Sequence, residues 1–462
     1  MGAAEAVIWA AAHAAHELAL FAAMGIAAGG LDDLAVDLIW VGRTLWRRLF
    51  VYSRHRRADA ATVAQQAGGP VAVFVPAWRE AAVIGPMLAT AHARWGDADY
   101  RIYVGCYSND PETLAAVQAL AAQSPRIRRV VNPRSGPTTK GDNLNAIWRT
   151  MLADEAVAGR CFAAVALHDA EDVVHPAEIG IYAALCRRYD LVQLPVLPLI
   201  EKERGWWARA ISSTYGDEFA ESHFKTLTVR EAIGAGVPSA GVGCGFSRAA
   251  LTRVAERFGA PFDEASVTED YELGLRLREF GGRGIFVRLP GRRGGAAVSI
   301  RAHFPNTMAA AVRQKARWQA GIALSGWVRL GWRGGLAERW MRFRDRRTIL
   351  SALVLLCAYV SGAGLALLGA IGNAPQFTPG ELALVSFCTG LMLWRLAMRT
   401  AFVAHAYGLG EGLASIPRAV LGNVIAMASA RRALQSYLRL ARGAPLTWDK
   451  TEHDFPKALP AE

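Results

Sequence analysis

Closely spaced cysteine pairs are missing from this chain of 462 residues. Its six cysteines are scattered, with no Cys-x-x-Cys pair, which argues against a disulfide framework and a zinc site and favours a reducing compartment. Neither Gly-x-Gly-x-x-Gly nor Gly-x-x-x-x-Gly-Lys-Ser/Thr follows the first predicted strand, so the dinucleotide fingerprint and the P-loop of ATPases are excluded. The chain also lacks a DNA- or RNA-binding motif.

The charge of the chain is positive and unevenly placed. Lysine and arginine number 52 against 40 acidic residues, giving a net charge of +12, and 52% of the residues are hydrophobic. The arginines cluster beside apolar runs, in Arg43–Arg57, Arg339–Arg347 and Ala430–Arg442. Basic clusters next to apolar spans are typical of the cytoplasmic side of a membrane. We therefore expect membrane lipids, and no nucleic acid, among the partners.

Three apolar segments are long enough to cross a bilayer, namely Ala6–Gly29, Thr348–Gly372 and Leu382–His405. The second has no charged residue, whereas the third contains Arg395 and Arg399. The first lacks the basic start of a cleaved signal peptide. The loop between the last two has no lysine or arginine, so we expect it outside, with the middle domain and all three basic clusters in the cytoplasm.

Two further segments mix apolar and charged residues at helical spacing. Asp32–Phe50 follows the first span, and Pro417–Arg442 has an uncharged core too short to cross a bilayer, so we expect both at the membrane interface. The predicted organisation is a transmembrane helix at residues 1–30, an interfacial helix and basic linker at 31–60, a cytoplasmic domain at 61–340, two transmembrane helices at 341–410, and an interfacial helix with a C-terminal tail at 411–462.

The middle domain alternates apolar strands with amphipathic helices, starting from the strand in "GGPVAVFVPAWRE" (Gly68–Glu80). Nearly continuous apolar strands alternating with helices predict an α/β fold with a parallel sheet covered on both faces. Ligands bind such sheets at the carboxyl ends of the strands. Glu80, Asp110 and Asp169 each follow a predicted strand, so we expect them near one another at this edge.

An acidic cluster follows the apolar run "CFAAVAL". It contains Asp169, Glu171 and Asp172. Three neighbouring carboxylates repel one another and resist desolvation unless a cation neutralises them. Oxygen ligands without nearby cysteine suit Mg²⁺ or Mn²⁺. The alternative is a solvated acidic turn.

Two later stretches contain further candidate residues. Thr268, Glu269 and Asp270 open a predicted helix, with Thr268 as its expected N-cap. Acidic residues at that position could instead complement the helix dipole. The segment "QKARW" (314–318) lies on another predicted helix before the transmembrane segments, where its arginine and tryptophan could equally form a surface stripe.

The order of these motifs resembles that of the family 2 glycosyltransferases with a GT-A fold, which include the cellulose, chitin and hyaluronan synthases. The resemblance implies a Rossmann-like domain flanked by transmembrane and interfacial helices. It also implies metal-dependent, inverting transfer from a UDP-sugar, for which an N-acetylhexosamine is plausible, to a growing glycan. Details such as "GLDDLAVDLIW" and "HDAEDVVHP" are similar to a bacterial inner-membrane group of this family tied to phage adsorption.

The same resemblance assigns roles to single residues. Asp270 would be the general base, beside Glu269 and Thr268. Because glutamate stands where the commonest metal motif has a second aspartate, Asp172 is an alternative to Glu171 as the partner of Asp169. The residues expected at the nucleotide-sugar are Pro76, Glu80, Asp110, Lys140, Asn143 and Asp169. Those expected at the acceptor or the diphosphate are Gln314, Arg317, Trp318, Gly243 and Cys244.

Two alternatives stay open on the sequence alone. One keeps the fold but transfers a single sugar to a polyprenyl phosphate, a lipid-linked acceptor. The other is an inactive membrane scaffold or phage-receptor component, against which the intact acids argue. Three spans are few for enclosing a polymer channel, so a homo-oligomer or an export partner is a further expectation.

Overall fold

The middle of the chain folds around a seven-stranded sheet in the computed structural model, which describes residues 2–66, 68–201, 203–292, 294–444 and 454–456. The strands are β1 Val71–Pro76, β2 Tyr100–Tyr107, β3 Ile127–Asn132, β4 Ala164–Leu167, β5 Leu191–Gln193, β6 Val196–Pro198, β7 Cys244–Ser247, β8 Gly284–Phe286 and β9 Ile300–Ala302. The sheet has the order β3-β2-β1-β4-β7-β5-β8, and β6 pairs with β9 beside it.

The sheet is mixed, although the sequence predicted a parallel one. β7 runs antiparallel to both of its neighbours, β4 and β5, whereas the other pairs are parallel. The chain reaches β7 through the glycine-containing loop at 239–243, which enters the sheet from the opposite end. The sequence did not predict β7, because its four residues are too few to show a strand pattern.

Helices cover both faces of the sheet and continue beyond it. They are α1 Ala3–Trp46, α2 Ala60–Ala64, α3 Ala81–Trp95, α4 Pro111–Ala121, α5 Lys140–Ala158, α6 Glu178–Leu185, α7 Trp206–Glu221, α8 Leu227–Ala232, α9 Arg248–Phe258, α10 Glu269–Glu279, α11 Met308–Gln319, α12 Gly326–Leu330, α13 Leu336–Arg346, α14 Thr348–Ala370, α15 Pro379–Tyr407 and α16 Leu409–Ala441. Three π-helical segments occur at Arg47–Val51, Ser222–Thr226 and Ala320–Ser325.

The core explains why β1 is apolar throughout. Successive side chains of a strand point to opposite faces, and both faces of β1 are covered by helices. Val73 packs in the cluster that contains Ile84 of α3, and Phe74 packs in the cluster that contains Ile147 of α5. All four side chains are fully buried, and burying a side chain of this size contributes roughly 1.5–3 kcal/mol. This packing fixes the carboxyl end of β1 at the edge of the sheet where Glu80 follows it.

Four helices are long and apolar enough to cross a membrane in the part of the chain that the structure describes: α1 with its π-helical extension, α14, α15 and α16. α1 packs against α14 and α15 along its length. Gly25 lies against Val354, and Gly30 lies against Leu391. The absence of a side chain at each glycine lets the helices approach closely, as in other membrane helix contacts.

Two predicted segment assignments differ from this arrangement. The expected interfacial helix at Asp32–Phe50 is not separate, because α1 continues without a break to Trp46 and reaches the middle domain, where Trp40 Nε1 donates to the carbonyl of Phe224 at 3.0 Å. The segment expected to be interfacial at Pro417–Arg442 forms part of α16, a fourth candidate span. Most of the predicted C-terminal tail lies outside the described residues.

Candidate active site

A cavity of about 600 Å³ opens at the carboxyl ends of β1 and β4 and extends to the first residue of α14. It brings together motifs that are far apart in the sequence. Its lining includes the sequence-predicted residues Pro76, Glu80, Lys140, Asp169, Glu171, Asp172, Thr268, Glu269, Asp270, Gln314, Arg317 and Trp318. A larger groove of about 1090 Å³, next to α9, α10 and α13, contains none of the residues predicted from the motifs.

The ends of β1 and β2 are tied together by Asp110. Its Oδ2 accepts from the backbone N–H of Arg79 at 2.6 Å, and its Oδ1 accepts from that of Thr113 at 3.4 Å, which caps α4. The Glu80 backbone N–H donates to Thr113 Oγ1 at 3.0 Å. The structure therefore brings Glu80 to the cavity, whereas Asp110 does not line it and holds the loop that presents Glu80.

Helix α5 presents a cation to the acidic cluster. Lys140 Nζ donates to Asp169 Oδ1 at 2.6 Å. Burial opposes its charged form, but the carboxylates of Asp169, Glu269 and Asp270 prevail and raise the pKa of Lys140. One ammonium group therefore interacts with both acidic motifs, which lie about a hundred residues apart in the sequence. Asn143 does not line the cavity; its amide donates to the carbonyl of Gly105 at 3.1 Å.

The acidic cluster divides into two parts. Asp172 is turned inward: its Oδ2 lies 2.9 Å from His168 Nδ1 and accepts from the Asp169 backbone N–H at 3.1 Å. His168 is fully buried; burial disfavours its charge, but Glu178 and Asp172 raise its pKa to about 10. Asp172 is therefore held by His168 and by the backbone. Asp169, which pairs with Lys140, is the most exposed of the three acids, and Glu171 lines the cavity beside it.

A protein-only metal cage is not present in the described segments, where no three histidine, cysteine or acidic side chains are grouped to hold an ion. A hard cation such as Mg²⁺ usually takes some of its ligands from a phosphorylated substrate. The Asp169 side chain is 36% exposed and lines the cavity with Glu171. Two carboxylates with a diphosphate would supply an all-oxygen ligand set suited to Mg²⁺ or Mn²⁺.

Helix α10 brings Glu269 and Asp270 to the cavity. Asp270 Oδ1 accepts from the Tyr271 backbone N–H at 2.8 Å. Thr268 is the residue at the N-cap, but, contrary to the sequence prediction, its side chain makes no capping hydrogen bond. Its methyl group instead packs on Gly321, where an added Cβ would come within 2.5 Å. The first turn of α10 is held instead by hydrogen bonds from Ser266 Oγ and the Arg329 guanidinium to Glu272.

The two acids of α10, Glu269 and Asp270, both have raised pKa values. Burial raises the pKa of Glu269 to about 8, and the neighbouring Asp270 charge adds to this effect. Burial also raises the pKa of Asp270, although Lys140 opposes that shift. Carboxylates this close titrate as a pair. A raised pKa makes Asp270 a better proton acceptor near neutral pH than an ordinary aspartate.

The loop before β7 presents a different set of residues from the predicted one. Ser239, Ala240 and Val242 line the cavity, whereas Gly243 and Cys244 do not. Cys244 is fully buried in β7, and its Sγ accepts from Ser239 Oγ at 3.2 Å. Burial raises the pKa of its thiol to about 12. The two predicted residues therefore support this loop and do not face the cavity.

Gln193 and Gly241 position this loop, and sequence reasoning missed both. Gln193 Oε1 accepts from the Ala240 backbone N–H at 2.9 Å, and its Nε2 donates to the Val242 carbonyl at 3.0 Å. Gly241 has φ 77°, and a Cβ there would overlap Asp270 Oδ2. A polar residue at the end of a buried strand was the available signal for Gln193. No local pattern indicated the approach of Gly241 to Asp270.

Helix α11 forms the opposite wall. Gln314, Arg317 and Trp318 all line the cavity, as the sequence predicted. Trp318 lies 6.0 Å from Tyr215 and 6.1 Å from Phe219 between ring centroids. An aromatic group held in this way offers a flat apolar surface with a polar N–H. It can pack against the face of a sugar ring.

A model of the family described as "Glycosyltransferase like family 2" matches residues 68–321. The match includes β1, the acidic cluster, α10 and α11, and it covers more than half of the chain. The chain belongs to glycosyltransferase family 2. Its mixed α/β sheet is of the GT-A type, which confirms the predicted fold class. With four long apolar helices, this family 2 glycosyltransferase is a membrane protein.

A curated relative extends the similarity into the flanking helices. The chain is 38% identical over 453 residues to "Bacteriophage adsorption protein B" of Escherichia coli strain K12. The alignment covers 92% of this chain and 60% of that protein, so the chain spans about three-fifths of the length of the relative. This confirms the predicted similarity to the group tied to phage adsorption.

Two solved structures resemble the fold at low sequence identity. A mannosyltransferase from Pyrobaculum calidifontis, in complex with GDP-Man and Mn2+, has a TM-score of 0.49 and 16% identity, covering 90% of this chain and 99% of its own. Glucosyl-3-phosphoglycerate synthase from Mycobacterium tuberculosis has a TM-score of 0.34 and 17% identity, covering 60% of this chain and 86% of its own. The family assignment rests on the sequence match alone.

Proposed function

We propose that this family 2 glycosyltransferase transfers a sugar from a UDP-sugar to the hydroxyl group of a glycan, with inversion at the anomeric carbon. The observation that carries the proposal is the position of Lys140, whose ammonium interacts with Asp169 of one motif and Asp270 of another. A donor diphosphate bound near Lys140 would thus lie close to a candidate base. An inactive membrane scaffold would not require a lysine that interacts with both acidic motifs.

The donor would bind at the β1 end of the cavity. Glu80 can accept hydrogen bonds from the nucleoside, and Lys140 can contact the diphosphate as a point charge. Asp169 and Glu171 would hold Mg²⁺ or Mn²⁺. When bound, this ion would neutralise charge on the diphosphate leaving group. Arg317 of α11 lines the same cavity and can donate to phosphate oxygens from the opposite wall.

The transfer step would use Asp270 as general base. As the acceptor oxygen forms its bond to the anomeric carbon, the bond from that carbon to the diphosphate oxygen breaks. The hydroxyl proton goes to Asp270, and the nucleoside diphosphate leaves. A single displacement of this kind inverts the anomeric configuration. Burial raises the pKa of Glu269, which favours its neutral form and so limits the negative charge beside the acceptor.

The acceptor would lie along α11, where Trp318 can pack on a sugar face and Gln314 can donate or accept hydrogen bonds. A growing glycan fits this aromatic wall, so we favour a surface or secreted polysaccharide as the product. Transfer of one sugar to a polyprenyl phosphate is the second candidate, favoured by the extension of the cavity to α14. We further propose a bacterial inner-membrane location with the catalytic domain in the cytoplasm.

The proposal can be tested by release of UDP from the full chain in lipid nanodiscs, with a panel of UDP-sugars. We expect turnover with one donor in the presence of Mg²⁺ or Mn²⁺ and none with EDTA. Product size then separates a polymer from a single transfer. Failure with every donor, in nanodiscs that contain a glycan acceptor or polyprenyl phosphate, would contradict the proposal.

A further inference from the structure

The membrane end of the cavity contains two buried arginines that the catalytic roles above do not use. Arg230 of α8 and Arg344 of α13 both line this end, together with Thr348, the first residue of α14. The Arg230 side chain is 3% exposed and that of Arg344 is 11% exposed. A buried charge is costly unless it is paired and hydrogen-bonded. Their partners therefore indicate whether a ligand is missing.

Arg230 is only partly satisfied. Its Nη1 donates to both carboxylate oxygens of Asp345, at 2.9 and 2.8 Å, and its Nε donates to the Gly236 carbonyl at 2.6 Å. Its Nη2 is buried without a hydrogen-bond partner among the described residues. Asp345 cannot readily supply one, because its Oδ2 also accepts from the Tyr271 hydroxyl at 2.6 Å.

Arg344 shows the same pattern on the neighbouring helix. Its guanidinium pairs with Asp32 and Asp33 of α1, but its Nε is also buried and unpartnered within the described segments. Asp33 is already shared with Arg347 and Arg395. The nearby carboxylates are thus occupied by other donors, and each of these two cavity-lining arginines keeps one buried N–H group without a partner among the described residues.

A phosphate group matches these leftover donors. Guanidinium groups bind phosphate oxygens through short, charge-assisted hydrogen bonds. The lobe ends at Thr348, where the chain enters a helix long and apolar enough to cross a bilayer. The ends of a helix that spans a bilayer lie near the lipid head groups. Arg395 and Arg399, the two arginines of the third predicted span, pair with Asp33 and Glu221.

We propose that Arg230 and Arg344 bind the phosphate group of a membrane lipid at the α14 end of the catalytic cavity. The site is separate from the donor diphosphate, which is assigned to Lys140 and Arg317. It also stands independently of sugar transfer, because it rests on unpaired donors and position and not on any reaction step.

The test is retention of lipid by the full chain in a non-ionic detergent, measured by native mass spectrometry. Phosphatidylglycerol, a polyprenyl phosphate and diacylglycerol are added separately. We expect one molecule of a phosphate-bearing lipid to be retained and diacylglycerol, which lacks phosphate, to be lost. Inorganic phosphate at millimolar concentration tests a soluble source; if it binds and neither phospholipid nor polyprenyl phosphate does, the lipid assignment is overturned.

Three matched arginine-to-lysine variants then locate the site. Arg230→Lys and Arg344→Lys keep the charge and an ion pair but lose the second N–H donor, so each should weaken retention about tenfold, the effect of one charge-assisted hydrogen bond. Arg347→Lys is the control, because Arg347 shares Asp32 and Asp33 with Arg344 but does not line the cavity.

Two results would overturn the proposal. If wild-type protein retains no phosphate compound, the leftover donors are satisfied by water. If all three variants lose lipid equally, the loss comes from disturbing the aspartates and not from a phosphate site. If Arg230→Lys fails to fold, as judged by size-exclusion chromatography, lipid retention by Arg344→Lys and Arg347→Lys still tests the proposal. Equal retention by these two variants would contradict it.

Discussion

The two ends of the catalytic cavity differ in the polar groups that they leave unsatisfied. At the end next to the sheet, the single ammonium of Lys140 faces the carboxylates of Asp169, Glu269 and Asp270. At the end next to α14, Arg230 and Arg344 retain buried N–H groups after pairing with the nearby aspartates. Clustered carboxylates favour a cation at the first end, whereas buried N–H donors without partners favour an acceptor such as a phosphate at the second. A donor with its metal would satisfy the first end, and a lipid phosphate would satisfy the second.

Removal of the proposed base should have the largest effect at the acidic end. Asp270→Asn keeps the size of the side chain but cannot accept the proton, so we expect kcat to fall about 10³-fold. Donor affinity, measured by titration with UDP, should be unchanged. Asp263→Asn is the control, since Asp263 pairs with Arg276 and Arg329 outside the cavity lining. If kcat fell equally in both variants, the loss would come from disturbing the loop before α10 and not from removing a base.

The division of the acidic cluster can be tested by two isosteric changes. Asp169→Asn should lower metal-dependent turnover about 100-fold by weakening the ion's ligand set, and should raise the Mn²⁺ concentration needed for half-maximal rate. Asp172→Asn should mainly lower the melting temperature, because Asp172 pairs with buried His168. If Asp172→Asn raised the Mn²⁺ requirement more than Asp169→Asn, Asp172 would be the metal ligand.

The close approach of Gly241 to Asp270 gives a smaller, positional effect. Gly241→Ala should displace the carboxylate and reduce kcat about tenfold, equivalent to about 1.4 kcal/mol in the barrier. Gly259→Ala is a matched control, because Gly259 has a similar φ of 84° but open space around it. Both changes should cost about 1 kcal/mol in stability from backbone strain. Only Gly241→Ala should slow turnover. If Gly259→Ala slowed it equally, the approach of Gly241 to Asp270 would not be the cause.

The smallest expected effect concerns the pH dependence of stability. Because burial raises the pKa of Glu269 to about 8 from its ordinary 4.5, the folded protein binds more protons than the unfolded chain between these values. The contribution of Glu269 to the free energy of unfolding therefore falls as pH rises from about 4.5 to about 8. Considered alone, Glu269 should lower the melting temperature as pH rises from 5 to 6.5. Buried His223 acts in the opposite direction over this range, because burial lowers its pKa to about 3.

Glu269→Gln isolates this effect, since a neutral amide has no proton to lose. Relative to the wild type, the variant should gain melting temperature as pH rises from 5 to 6.5, because all other groups titrate in both proteins. Parallel profiles of the two proteins over this interval would mean that Glu269 is charged in the folded protein.

The sequence predicted the α/β fold because its long apolar strands alternate with helices, a pattern set by burial on both faces. It did not predict the direction of β7, whose four residues carry too little pattern. It also divided α1 at residue 30, since charges at Asp32 and Asp33 look unsuited to a continuing apolar helix. In the structure those charges are paired with Arg344 and Arg347, a contact between residues more than 300 positions apart.

For the site, the motif acids were found because their order along the chain is distinctive. The roles of single neighbours were harder to predict, since they depend on which way each side chain turns. Asp110, Asn143 and Cys244 lie in or beside the expected motifs but hydrogen-bond within the scaffold. Gln193 lies in no motif and organises the loop before β7. Such roles follow from tertiary contacts that no local spacing encodes.

The anomeric configuration of the product tests the central claim most directly, because it depends on one base and one displacement in a shared cavity. It can be read by NMR from the sugar transferred by the full chain in nanodiscs. From an α-linked UDP-sugar donor, we predict a β-linked product. An α-linked product would require a second displacement and would contradict the assignment of Asp270 as the base.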